Sequence, residues 1–248
     1  MWNLRDFVNW GVLEWVLIAL AIAFIPALIY SIVASVRVKR AYNRAKQIPI
    51  QSGITGEQVA RAVLHSEGVY NVQIMPIDGR LEDHYDPRSN TIRLSNEVFY
   101  GRSVAAAGIA AHEAGHALQY AERMFSIRFR TAIVPYASFA ARYSMPFLLF
   151  AILIEFMVGF NIISNTLLLL AVIFYASFVL FTLVTLPVEF NASRRAKQML
   201  LAGNILTVEE KREAKRILNA AAQTYVAQSA LALATLARLL LMLLSRRR

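Results

Sequence analysis

Three stretches of this chain are apolar almost without interruption, and the residues between them follow shorter periods. Residues 12–34, VLEWVLIALAIAFIPALIYSIVA, form a run of about the 20 apolar residues a helix needs to cross a hydrocarbon core, interrupted only by Glu14 near one end. Pro26 lies inside this run and predicts a kink. Residues 132–187 are apolar for roughly twice the length of one span. Turn residues Gly159, Phe160 and Asn161 sit near the middle, so this region predicts a helical hairpin. A last stretch, 226–244, is rich in Ala and Leu, contains Arg238 and runs into Arg246, Arg247 and Arg248.

Between the first span and the hairpin the pattern is that of a small α+β domain. GEQVARAVLHS, residues 56–66, places Val59, Ala62 and Val63 at helical spacing, and Gly68 ends the run. VYNVQIM at 69–75 and TIRLS at 91–95 read as short strands, separated by a charged, turn-rich stretch from Asp78 to Asn90. TIRLS is the strand on which an extended peptide would be laid by strand addition. Ser103 is placed to cap an alanine-rich helix running to about Ala121.

Composition turns this pattern into a class. With 57% hydrophobic residues in 248, the chain is too apolar for an ordinary soluble domain and reads as a membrane protein in contact with a lipid bilayer. The first span is too long for a signal-peptide core and begins with Arg5 and Asp6 rather than a basic region, which predicts an uncleaved anchor. The formal charge of +10 comes from basic residues clustered beside the apolar segments, as topology and anionic lipid require. No nucleic-acid recognition module is visible, so no nucleic-acid partner is expected. Arg37, Lys39, Arg40, Arg44 and Lys46 follow the first span with no acid among them and place residues 37–131 in the cytoplasm. The uncharged turn near Asn161 suits the outside, and Arg194, Arg195 and Lys197 bring the chain back. The C-terminal stretch either spans, leaving three arginines outside, or lies re-entrant with Arg238 more easily accommodated.

The expected organisation is therefore an anchor (1–36), a cytoplasmic α+β domain (37–131), a transmembrane hairpin (132–187), a cytoplasmic helical segment (188–225) and an apolar C-terminal helix (226–248). The fold class is a mainly α multi-pass membrane protein with a small cytoplasmic α+β domain. Its site is built from a soluble helix and a helix leaving the membrane.

The chemistry sits on the helix that Ser103 opens. The whole chain has four histidines, and AAHEAGHALQY places His112 and His116 four residues apart around Glu113. Residues i and i+4 project from one helix face, so both imidazoles can reach one metal ion. Glu113 lies about 100° around the helix from His112, within reach of a metal-bound water without being a ligand. This is the H-E-x-x-H arrangement of zinc hydrolases, in which the glutamate is the general base.

Cysteine is absent, so thiolate metal sites, cysteine nucleophiles and disulfides are excluded and the third protein ligand must be His, Glu or Asp. Glu189 is the best candidate, two residues past Pro187, where a carboxylate at a hydrophobic boundary needs a partner or a metal. The competing reading pairs it with Arg194, Arg195 or Lys197.

Four segments, LEDHYDPRSNTIRLS, SVAAAGIAAHEAGHALQY, LPVEFNASRRA and LNAAAQTYVA, resemble a family of bacterial integral-membrane neutral zinc metallopeptidases, a gluzincin-like group. The resemblance covers nearly the whole chain from about residue 20. It implies Zn2+ as cofactor, His112 and His116 as ligands, Glu113 as catalytic base and Glu189 as third ligand. The heat-shock and prenyl-protein membrane proteases look like distant relatives; where they place an aspartate four residues after the glutamate, this chain has Ser193. Serine can still orient a ligand by hydrogen bonding.

His84, in the dense cluster Asp83, His84, Tyr85, Asp86 and Arg88, is a candidate to donate to an oxyanion or to orient a metal ligand by hydrogen bonding. The plainer reading is a solvated turn held by Asp side chains and Pro87. The function expected is zinc-dependent cleavage of membrane or unfolded proteins at the cytoplasmic membrane surface. The alternatives are a non-catalytic metal-binding scaffold or adaptor, which has no use for a base beside the ligands, and a transporter. The transporter is disfavoured because no repeated pair of broken helices interrupts the spans.

Overall fold

The computed structural model describes residues 11–79, 82–202 and 205–245. Arg5 and Asp6 of the expected anchor, and the terminal Arg246, Arg247 and Arg248, lie outside the described residues. In chain order the elements are α1 (Val12–Ile22), α2 (Phe24–Lys46), α3 (Gly56–Ser66), β1 (Gln73–Ile77), β2 (His84–Asp86), β3 (Thr91–Ser95), α4 (Asn96–Phe99), α5 (Val104–Ala121), α6 (Phe125–Val158), α7 (Ile162–Ala202) and α8 (Val208–Ser245). Four helical stretches among the described residues are long and apolar enough to cross a membrane: Ile18–Lys46, Phe125–Val158, Ile162–Leu201 and Val208–Leu244.

Pro26 acts where the pattern predicts, through the carbonyl it cannot reach. Helix α1 stops at Ile22, four residues before it, and α2 starts at Phe24 after a single turn residue. Proline has no N–H for the carbonyl of residue i−4 and its ring crowds that carbonyl. Gly159, with φ of +76°, turns the chain between α6 and α7. The apolar stretch from 226 is not a separate element: α8 runs unbroken from Val208 to Ser245.

Contacts gather the chain into two units. One comprises Met1–Ile32, Arg130–Val184 and Val226–Arg248. Its buried cluster contains Ala151, Leu168, Val172, Leu239 and Leu243, and the Arg238 guanidinium lies 4.4 Å above the Phe24 ring. A cation over an aromatic face gains electrostatic energy without a counter-ion, which suits an arginine in apolar surroundings.

The other unit, Val33–Phe129 with Thr185–Tyr225, holds the sheet and the motif helix. The sheet order is β1-β3-β2, with β1 parallel and β2 antiparallel to β3. TIRLS is thus the central strand, paired along its whole length by β1 and over Thr91–Arg93 by β2, and is not the open edge that laying down an added peptide strand requires. The strand expected at 69–75 starts at Gln73 instead. Gly68, at φ +73°, and Val69 close the end of α3, and the Val69 N–H is used by the Leu64 carbonyl at 2.9 Å. On α3 the buried positions are Gly56, Val59, Ala60, Val63 and Leu64, and Ala62 faces outward. The stretch expected as a loop contains β2, whose turn back to β3 is held by Asp86 accepting from the Arg88 N–H at 3.0 Å and the Ser89 hydroxyl at 2.7 Å.

Helix α5 is capped as its sequence predicts, Ser103 Oγ accepting from the Ala106 N–H. Its alanines are almost all buried, because small side chains let other elements approach on nearly every side. The closest approach is at Gly115. A Cβ there would lie 3.0 Å from the Ala192 carbonyl oxygen of α7. Gly115→Ala is therefore expected to push α7 off α5, lowering stability by about 1–3 kcal/mol, as overpacking does. Zinc affinity should fall with it, because Glu189 lies less than one turn from Ala192; thermal unfolding and metal titration of the purified protein would check both.

Candidate functional site

The contact at Gly115 and Ala192 sets the geometry of the site. It brings α7 against α5 so that Glu189, one helical turn before Ala192, faces the imidazoles of His112 and His116. Glu189 Oε2 lies 3.3 Å from His112 Nε2 and 3.5 Å from His116 Nε2. The ligand atoms of the three residues all fall within 4.8 Å of one another. Glu189 is 2% exposed, a position where an ionised carboxylate is costly unless cations or donors surround it. Two of the three basic residues offered as its partners, Arg195 and Lys197, are used elsewhere. Arg195 pairs with Glu122, and Lys197 donates to Asn219 Oδ1 at 2.9 Å.

Both rings present Nε2 to the cluster and are held from behind at Nδ1. His116 Nδ1 lies 3.0 Å from Gln119 Oε1. The fully buried Gln119 amide has only one workable orientation, because its Nε2 donates at 2.9 Å to the Val188 carbonyl and to Asn191 Oδ1. Its oxygen must then accept from His116 Nδ1–H, which leaves the Nε2 lone pair of His116 free for a metal. Ser193 Oγ sits 3.3 Å from His112 Nδ1 and serves the other ring.

The network continues outward. Asn191 accepts from Arg195 Nε at 2.9 Å, and Arg195 grips both carboxylate oxygens of Glu122 at the end of α5. That hydrogen-bonded guanidinium holds the Glu122 carboxyl below its ordinary value. Two neutral imidazoles and a buried carboxylate, each oriented by its own neighbours, fit the donor set of a divalent zinc site.

Gln119 and Asn191 were missed in the sequence reading. The available signal was Gln119 at i+3 from His116, on the same helix face. Gln119→Leu keeps the volume but leaves His116 Nδ1 and the Val188 carbonyl without this partner. It is expected to weaken metal binding by roughly 10–100-fold, the usual effect of removing a group that orients a ligand. A competition titration with a chromogenic chelator would measure it.

Glu113 stands beside the three donors but outside their group. Burial pushes its carboxyl up to about 7; His112 pulls it down, Glu189 and Asp83 push it up, and the Tyr85 backbone N–H lowers it. With His112 it lines a cavity of about 700 Å3, within the usual range of ligand sites.

The DHYDP cluster meets this cavity through Asp83, not through His84. Asp83 lines it and accepts from the Ser95 N–H at 2.8 Å and the Ser95 hydroxyl at 3.1 Å; burial raises its carboxyl above the ordinary value. His84 is exposed, its Nδ1 is 2.7 Å from the Glu82 carbonyl, and it joins neither the donor group nor the cavity wall. Period-2 alternation through β2 is the reason. Asp83 and Tyr85 turn towards α5, where Tyr85 packs 5.4 Å from the Tyr120 ring, and His84 turns away.

The chain matches the family described as "Putative neutral zinc metallopeptidase" over residues 20–244. It is 39% identical over 223 residues to "Putative membrane protease YugP" of Bacillus subtilis (strain 168), an alignment covering 90% of this chain and 96% of that protein. No solved structure matches it.

Proposed function

Because the chain belongs to the membrane neutral zinc metallopeptidase family, we propose that it is a zinc-dependent endopeptidase acting on membrane or unfolded proteins near the cytoplasmic membrane surface. The observation that carries this reading is the placement of Glu113. It lines the cavity next to His112 yet takes no part in the donor group of His112, His116 and Glu189. A purely structural metal site needs the donors and has no use for a second buried carboxylate at its open side.

His112, His116 and Glu189 would hold the zinc, with Gln119 and Ser193 fixing the rings. Bound there, zinc supplies Lewis acidity towards a carbonyl oxygen and makes water a stronger acid. Glu113 takes the proton of the attacking water and returns it to the departing amine, so one carboxyl serves both as base and as acid. Burial suits it to that task, since a carboxyl with its pKa drawn towards neutrality both accepts and releases a proton readily.

The membrane setting follows from the sequence. Glu189 and the apolar window of α7 share one helix, and Arg37, Lys39, Arg40, Arg44 and Lys46 after the first span favour the cytoplasmic side for the catalytic unit. Substrates within reach are membrane-protein loops, juxtamembrane segments and unfolded tails.

The test is incubation of the detergent-purified, zinc-loaded full chain with reduced, alkylated casein, read by mass spectrometry. Internal peptides that disappear with a chelator and return with zinc support the endopeptidase. Full zinc occupancy with no peptide released would favour the metal-binding scaffold.

A further inference from the structure

The cavity beside Glu113 is chemically lopsided. One wall is apolar and built from Ile109 on α5 and Ile217, Leu218 and Ala221 on α8. Positions 217, 218 and 221 recur at one helical face, and α8 turns that face to the cavity. Helix α2 adds Val38, Lys39, Tyr42, Asn43 and Lys46 to the lining. Lys39 is exposed and has no ion pair among the described residues. At about 700 Å3 the space is several times the roughly 150 Å3 cavity that holds a benzene ring. It can take more than one side chain.

Resting on the peptidase reading, we propose that this cavity is the substrate-specificity site. It binds a segment with large apolar side chains next to the scissile bond, and Ile217, Leu218 and Ala221 of α8 read those side chains. His112 and Glu113 line the same cavity, so a side chain seated on α8 belongs to a residue adjacent to the bond under attack. The apolar wall gains by removing large aliphatic or aromatic groups from water, whereas a small or charged side chain leaves it either unfilled or desolvating a charge. The enzyme's substrates are then proteins with exposed apolar stretches. Folded water-soluble proteins keep such stretches inside; unfolded chains and the ends of membrane segments present them.

The experiment uses the zinc-loaded full chain in detergent and a set of peptides identical except at one position, occupied by Phe, Leu, Ala or Asp. Wild type is expected to cleave the Phe and Leu peptides at least roughly tenfold faster in kcat/KM than the Ala and Asp peptides, at one fixed distance from the variable residue. Ala221→Phe fills the wall and should cut the ratio of kcat/KM for the Phe peptide to that for the Ala peptide by roughly tenfold or more. Ala221→Leu is the milder companion should the larger side chain disturb folding, with zinc content as the control for an intact centre. Equal cleavage of all four peptides, or a preference untouched in both variants that retain zinc, overturns the assignment while leaving the peptidase intact. No cleavage of any peptide by fully zinc-loaded wild type overturns the peptidase reading, and the specificity assignment with it.

Discussion

Glu113→Gln is expected to lower peptide hydrolysis by roughly 10²–10⁴-fold, the usual contribution of a general base, with zinc still bound at the wild-type level. Glutamine has nearly the same shape, can still accept a hydrogen bond from the Tyr85 backbone, and cannot take a proton from water. The fold should tolerate it well. Burial already pushes the Glu113 carboxyl up to about 7, so replacing it by a neutral amide removes a group that resists ionisation where it stands.

The pH dependence follows with a definite sign. The base works only when ionised, so the rate falls as pH drops through its pKa. A divalent cation on the neighbouring ligands draws that pKa down from about 7, so the acid limb of kcat/KM in the zinc form should have its midpoint below that value. In the metal-free protein the raised carboxyl keeps its proton between 4.5 and about 7 while the unfolded chain has lost it. Stability without metal should therefore decline as pH rises through that window. Assay of the casein cleavage beside metal analysis decides the matter. If the variant kept full turnover with zinc bound, the base would have to be another group on the cavity wall, where Asp83 and Glu97 are the remaining carboxylates.

Much of this site is written in local sequence, because its central part is local in space. The motif helix, its Ser103 cap and the shared face of His112 and His116 need only the helical period. Glu189 is visible through its position at the end of an apolar run, where a carboxylate without a function is expensive. What escapes the sequence depends on two helices meeting. The hydrogen bonds of Gln119 to Val188 and Asn191 join residues 69 and 72 positions apart. They exist only because Gly115 lets α5 lie against Ala192.

The sheet shows the same limit from another side. β2 is three residues long and only Tyr85 in HYD favours a strand, too little to outweigh the proline that follows it. Once that strand is missed, His84 looks like the chemical residue of its cluster, since histidine is the scarce type in this chain. The pleat decides otherwise, sending Asp83 and Tyr85 to the cavity side. It also makes β3, whose alternating apolar residues read as an exposed docking strand, the buried centre of the sheet: Ile92 and Leu94 are fully buried.

Glu189→Gln should abolish stable zinc binding, a larger effect than the roughly 10–100-fold expected for Gln119→Leu, because it changes a donor rather than the support of one. The amide matches the carboxylate in volume, so the packing of α7 on α5 is preserved and loss of metal cannot be attributed to a cavity. What it removes is the negative charge among three donors that must together neutralise a divalent ion. With two neutral imidazoles as the remaining donors, an uncompensated dication would sit in a site where Glu189 is 2% exposed, an unfavourable place for net charge.

Zinc content of the purified variant should fall from about one per chain to well below that, under loading conditions that fill the wild type. The metal-free fold should survive, since the amide N–H of the glutamine can donate to the Nε2 lone pair of His116, which faces residue 189. Circular dichroism of the two proteins after chelation tests that separately from the metal analysis. Full zinc in Glu189→Gln would mean that the 4.8 Å grouping of these three residues is not the metal centre, and that the third donor must come from the cavity side of His112, where Asp83 and Glu113 stand.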